Sequence, residues 1–184
     1  MKKTSVLAGM LMMTALGGAC GGDSASPPNY PAESIAAIMA ADDRFDTLMQ
    51  ITEKEMPPVA VDSFSALELD ITIFAPTDDA FAALPPGTLE WLRDDDNVSD
   101  HQWIFDHLVI AKGYSLAELR SEAQSGDGRV EALTDGLPIQ LTFVDSVLRV
   151  DEATVIDGDI EAENGVIHVI DTVLIPDSVT LPGT

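Results

Sequence analysis

The stretch Ile71-Thr72-Ile73-Phe74-Ala75-Pro76-Thr77-Asp78-Asp79-Ala80-Phe81 constrains the fold more than any other part of the chain. Ile71, Ile73 and Ala75 alternate with Thr72 and Phe74, which suits a strand with two buried faces. Pro76 has no N–H to offer a ladder, so it ends the pairing. Thr77 is then placed to cap a helix, with Asp78 and Asp79 against the positive end of the helix dipole. That helix buries Phe81 and Leu84 and is stopped by Pro85-Pro86-Gly87.

A second stretch, Asn164-Gly165-Val166-Ile167-His168-Val169-Ile170-Asp171, reads as the return arm of a hairpin. Val155 to Ile160 is the outgoing β-branched run, and Asn164-Gly165 is the residue pair favoured in type I′ turns. Val166 to Ile170 is a nearly continuous apolar run with one histidine inside it, and Pro176 closes the strand.

The two stretches, in this order and about one small domain apart, resemble the two signature boxes of the fasciclin domain, an extracellular adhesion and binding module. Trp103 to Gly113 resembles the family's tyrosine–histidine segment, with Asp106 where that pattern has tyrosine and His107 keeping the histidine. Asp151-Glu152 stands where the family often has an Asn-Gly turn. The resemblance covers about residues 31 to 176. It implies that Thr72, Phe74, Pro76, Thr77, Asp78, Phe81, His107, Asn164, Gly165, His168 and Asp171 mainly hold the fold together. For His168 it implies a structural hydrogen bond.

The rest of the domain gives a consistent outline. Pro31 to Ala41 reads as a helix with Ile35, Ile38 and Met39 on one face. Asp42-Asp43 can cap a second helix carrying Phe45, Leu48, Met49 and Thr52, which Pro57-Pro58 ends. Asp62 to Leu69 is a short helix or loop, and Thr88 to Leu92 a helical turn bearing Trp91. Ser99 to Gln102 and Ser115 to Glu118 fit capping boxes, opening helices to Leu108 and to about Glu122. Beyond the turn at Ser125–Gly128 the chain is strand-rich: 129–133, 139–144, 147–150, 155–160 and 166–174. Helices first and strands second indicate α+β. The expected architecture is one fasciclin-like domain over 31–178, with helices packed on a sandwich or wedge of mostly antiparallel strands and residues 179–184 as a tail.

The N-terminus has the layout of an export signal. Met1-Lys2-Lys3 is positive, and Val6 to Leu16 is apolar but too short to span a bilayer as a helix. Gly17-Gly18-Ala19 then leads to Cys20, the single cysteine of the chain. A cysteine directly after small residues resembles a bacterial lipoprotein signal, in which residues 1–19 are removed and Cys20 is lipidated. An ordinary cleaved signal and an uncleaved anchor are the alternatives, and the family pattern's leucine is replaced here by Gly17. Residues 20–30, with Gly21-Gly22 and Pro27-Pro28, read as a lipidated start and flexible tether. One cysteine excludes an intramolecular disulfide, so the core alone must hold the fold.

The formal net charge is −23, and loss of residues 1–19 leaves 7 basic against 32 acidic side chains, or −25. Nucleic-acid binding and docking on anionic lipid headgroups are both disfavoured, which leaves a lipid on Cys20 as the membrane contact. The three histidines make no metal spacing, since His101 and His107 are six apart on one helix and His168 lies in an apolar strand. Asp157, Asp159, Glu161 and Glu163 alternate, which would line carboxylates along one strand face. Calcium needs about six to eight converging oxygens, and neither this run nor the loop Asp94–Asn97 completes such a set. A solvated face that discourages edge pairing is the preferred reading. No nucleophile elbow, phosphate loop or nucleophile–histidine motif occurs. The expectation is therefore a non-catalytic adhesion or binding module without cofactor or metal, exported and membrane-anchored, docking a protein or polysaccharide. The alternatives are an envelope enzyme acting on polysaccharide through an acidic cleft and a periplasmic small-molecule binder with an apolar pocket.

Overall fold

A computed structural model describes residues 33–55, 70–94, 98–125, 127–133 and 137–182. The leader, Cys20, the tether, Pro31, Pro57-Pro58 and residues 62–69 lie outside the described residues. The helices are α1 (Ile35–Ala40), α2 (Asp46–Glu55), α3 (Asp78–Ala82), α4 (Thr88–Trp91), α5 (Val98–His107) and α6 (Leu116–Gln124), with a 3₁₀ turn over Asp43–Phe45. The strands are β1 (Ile71–Pro76), β2 (Val109–Ile110), β3 (Arg129–Glu131), β4 (Pro138–Val144), β5 (Val147–Val150), β6 (Ala153–Ala162) and β7 (Gly165–Ile170). They form one seven-stranded sheet in the order β2-β1-β7-β6-β5-β4-β3. Every pairing is antiparallel except the parallel pair of β1 with β7, which runs from Ile71↔Gly165 to Pro76↔Ile170. Just past β3, the Leu133 N–H donates to the Val109 carbonyl of β2 at 2.8 Å, so the sheet curls until its two ends meet. The fold is α+β.

All six residues of β1 are buried, as a strand apolar on both faces requires. Thr77 caps α3, its hydroxyl accepting the Ala80 N–H at 3.3 Å. Ser115 and Glu118 close a full capping box, and α6 runs two residues past the expected end. Phe45, Phe74, Leu48, Ile51, Ile73, Leu108, Leu119, Ile139, Leu141, Ile167 and Ile170 are among the largest fully buried side chains of a single core.

Several expectations need correction. The first helix, expected from Pro31, begins at Ile35, where Ser34 caps it by accepting the Ala37 N–H at 3.2 Å. The helix expected from Ser99 begins at Val98, so Ser99 lies inside it. The two-residue loop before β7 is Glu163–Asn164, and neither residue has positive φ, so it is not type I′. That geometry occurs instead at Asp145–Ser146, with φ of 53° and 68°, between the paired Val144 and Val147. β7 ends at Ile170 rather than Leu174, because the Asp171 carboxylate turns to accept the Thr154 N–H at 2.7 Å. Register shifts between Val155, Asp157 and Ile160, with Asp159 at φ 56°, break the alternation that would have lined the acidic residues along one face. Val179 is buried and Leu181 packs on the core, so the segment after residue 178 is partly integrated into the domain.

Candidate functional site

The first motif stretch places polar atoms at the seam between β1 and the loop that follows β2. The Thr72 hydroxyl, fully buried, donates to the Lys112 carbonyl at 2.8 Å and accepts the Tyr114 N–H at 2.7 Å. In the parallel register Phe74 sits opposite His168 with their rings 5.9 Å apart. The His168 Nε2–H donates to the Tyr114 carbonyl at 2.8 Å, and Nδ1 accepts the Asp159 N–H at 3.2 Å. Carbonyl and N–H partners together fix the neutral Nε2 tautomer. Burial holds the imidazole below its ordinary pKa, against the opposing effects of the Tyr114 carbonyl and the Asp159 charge. The Asp159 carboxylate accepts the Leu116 N–H at 2.6 Å in the first turn of α6. Thr72 and His168 thus grip one loop from neighbouring strands.

The remaining motif residues join elements in the same way. The fully buried Asn164 side chain accepts the Ile35 N–H at 2.8 Å, and its backbone carbonyl accepts the Ile71 N–H at 3.2 Å. It thereby ties the start of α1 to the start of β1. Gly165 has φ 147°, and a Cβ there would run into the backbone of Ile71, so the two strands can meet only at glycine. Asp78 accepts the Thr47 N–H of α2 at 2.7 Å. Pro76 pairs with Ile170 at the end of β1, and Phe81 is buried in the core. The Asp171 N–H donates to the Thr154 carbonyl at 3.1 Å, adding to its side-chain contact.

His107 stands apart from this network. It is buried at the end of α5, and its Nε2 lies 3.2 Å from the Asp151 carboxylate. The other Asp151 oxygen accepts the Gln140 N–H at 2.8 Å, and Asp151 itself turns the chain at φ 50°. His107 Nδ1 is buried without a hydrogen-bond partner among the described residues. Asp106, half-buried where the motif has tyrosine, has its carboxyl pKa raised by burial.

His107, Gln140, Asp151 and Glu152 line a groove of about 630 Å³. Its apolar walls include Leu84 and Pro85 after α3 and Val173, Leu174, Ile175 and Leu181 of the C-terminal segment. Asp177 adds a further carboxylate to the lining, in which no lysine or arginine occurs among the described residues. The sequence shows Asp151-Glu152 as an acidic pair in place of the family's turn, but not its position beside His107, and it gives Asp177 no signal. Only the spacing of Asp151 from His107 along two different elements could have pointed to them, and that is set by the fold. The acidic residues of β6 do not converge: Asp157 pairs with Arg44 at 3.0 Å and Asp159 caps α6. Among the described residues no group of three or more His, Cys, Asp or Glu is placed to hold a metal ion. No helix among them is long and apolar enough to cross a membrane.

The model for the Fasciclin domain matches residues 43–176. Protein sll1483 of Synechocystis sp. (strain ATCC 27184 / PCC 6803 / Kazusa) is 36% identical over 147 residues, covering 79% of this chain and 74% of its own. Protein sll1735 of the same organism is 35% identical over 144 residues, covering 77% of this chain and 97% of its own. Human periostin is 33% identical over 123 residues, 65% of this chain but 14% of periostin. The solved FAS1 domain pair of the insect cell adhesion molecule fasciclin I superposes with a TM-score of 0.69 at 19% identity, over 80% of this chain and 52% of that one, a likeness of fold. The chain belongs to the fasciclin-domain family.

Proposed function

We propose that this protein is an exported cell-adhesion-type binding module, anchored through a lipid on Cys20 and docking a protein or polysaccharide partner without catalysis. The observation that carries this reading is the family match over residues 43–176, supported by a fold shared with the insect cell adhesion molecule fasciclin I. The motif residues support it, because Thr72, Asn164 and His168 direct their polar atoms at the protein's own backbone. That leaves surface loops and helices for docking. The large negative charge makes a nucleic-acid partner a poor fit.

An enzyme acting on polysaccharide would draw on the groove carboxylates. Asp151, however, has both oxygens engaged within the fold, and Glu152 and Asp177 stand exposed rather than in the desolvated setting a general acid needs. The test uses the full chain in its native envelope. Cells carrying it should bind surfaces or each other more than cells lacking it. Cys20→Ser should abolish labelling by a fatty-acid analogue, release the protein from the membrane fraction and remove the adhesion. Adhesion equal in the presence and absence of the protein would refute the adhesive role, and labelling that persists in Cys20→Ser would refute the anchor.

A further inference from the structure

We propose that the groove between the end of α3, the His107–Asp151 pair and the C-terminal segment is a small-molecule site for a cationic amphiphile, an apolar body bearing an amine. Three observations converge on this ligand class. The volume of about 630 Å³ matches sites for small organic ligands, and walls such as Leu84, Val173, Leu174 and Ile175 suit an apolar body. The ionisable side chains of the described lining are His107 and three carboxylates, Asp151, Glu152 and Asp177. An anionic head would be repelled there and an ammonium attracted, the more so in a chain with net charge −23.

The third observation is the orphan nitrogen of His107. Nε2 lies against the Asp151 carboxylate, and Nδ1 is buried without a hydrogen-bond partner among the described residues. His107 itself lines the groove, and in the neutral ring Nδ1 accepts an N–H of the kind an amine there supplies. The ammonium then rests against Asp151 and Glu152 while the chain follows the apolar wall. Nothing in the adhesive role requires this site.

The experiment is titration of the full mature chain with n-octylammonium, n-octanol and octanoate at about physiological ionic strength, where long-range attraction between exposed charges is screened. Binding is followed by calorimetry and by the His107 ring resonances. Saturable one-to-one binding of octylammonium is expected, with octanol about tenfold weaker and octanoate weaker still. Ala83→Trp, at an exposed position on the groove wall, should block binding without altering the net charge. Glu152→Gln should weaken octylammonium by several-fold and leave octanol unchanged, whereas Glu161→Gln, an equal charge change outside the groove, should do neither. His107→Phe should weaken octylammonium and move no other part of the fold. If that variant does not fold, Ala83→Trp and Glu152→Gln still decide the matter. Non-saturable binding, octanoate binding as well as octylammonium, or Ala83→Trp leaving affinity intact would overturn the proposal.

Discussion

Replacing His168 by leucine tests the grip on the loop after β2. Leucine fills much of the imidazole volume, so the substitution removes two hydrogen bonds without opening a large cavity. The lost contacts are Nε2–H to the Tyr114 carbonyl at 2.8 Å and the Asp159 N–H to Nδ1 at 3.2 Å. Each leaves a part-buried backbone group short of a partner, at a cost of about 1–2 kcal/mol. The expected destabilisation is therefore about 2–4 kcal/mol, or roughly 5–15 °C in melting temperature for a domain of this size. Thr72→Val removes the other hold on the same loop, where the hydroxyl bridges the Lys112 carbonyl and the Tyr114 N–H. Because both side chains secure one segment, the double variant should lose less than the two singles together, by about 0.5 kcal/mol or more. Urea unfolding measures the free energies, and amide exchange at Asp159 reports the local bond. A His168→Leu variant melting within about a degree of the parent, with Asp159 exchange unchanged, would refute the reasoning.

Acid should erode the same contribution. Burial lowers the folded pKa of His168, so the folded chain binds fewer protons there than an unfolded histidine at about 6.5. Its contribution is fully present above that pH and is lost as pH falls through the window below it. The stability gap between parent and His168→Leu should narrow as pH falls below about 6.5, and a gap that stays flat on acidification would contradict the assignment. Gly165→Ala should cost more than about 3 kcal/mol, because the new methyl meets the Ile71 backbone, whereas Gly87→Ala, at φ 90° in open space, should cost only about 1–2 kcal/mol; denaturant midpoints for the two variants check the order. After chelation, calcium should raise the melting temperature no more than magnesium or sodium at equal ionic strength. A calcium-specific gain approaching the roughly 2.7 kcal/mol expected for a ligand at a hundredfold excess over its Kd, lost in Asp157→Asn, would reverse that expectation.

The legible parts of the fold were those written in local chemistry. The Thr77 cap, the Ser115–Glu118 box and the doubly buried β1 depend on residues within a few positions of one another, and their signals are steric or hydrogen-bonded at short range. What failed depended on a partner strand. Gly165 looked like a turn glycine, but its reason is the passage of Ile71 some ninety residues earlier in the chain. The acidic alternation of β6 looked like one strand face, but pairing with β7 inserts two register shifts that re-aim Asp157 toward Arg44 and Asp159 toward α6. β2, at two residues, is too short to show any period. The groove was illegible for the same reason, since its walls come from the end of α3, from β4 and from the C-terminal segment, which meet only when the domain is complete.

The parallel pairing of β1 with β7 sets the moment at which a growing chain can fold. Until Gly165 to Ile170 has been synthesised, β1 has only the two residues of β2 beside it, and the Ile35 amide lacks the Asn164 oxygen that lies 129 positions downstream. Closing so long a loop must precede the gain from those contacts, so the central strand pair forms last and the nascent chain remains open until its final segment emerges. Truncation before Asn164 would remove every β7 partner of β1 together with the side-chain acceptor of the Ile35 amide.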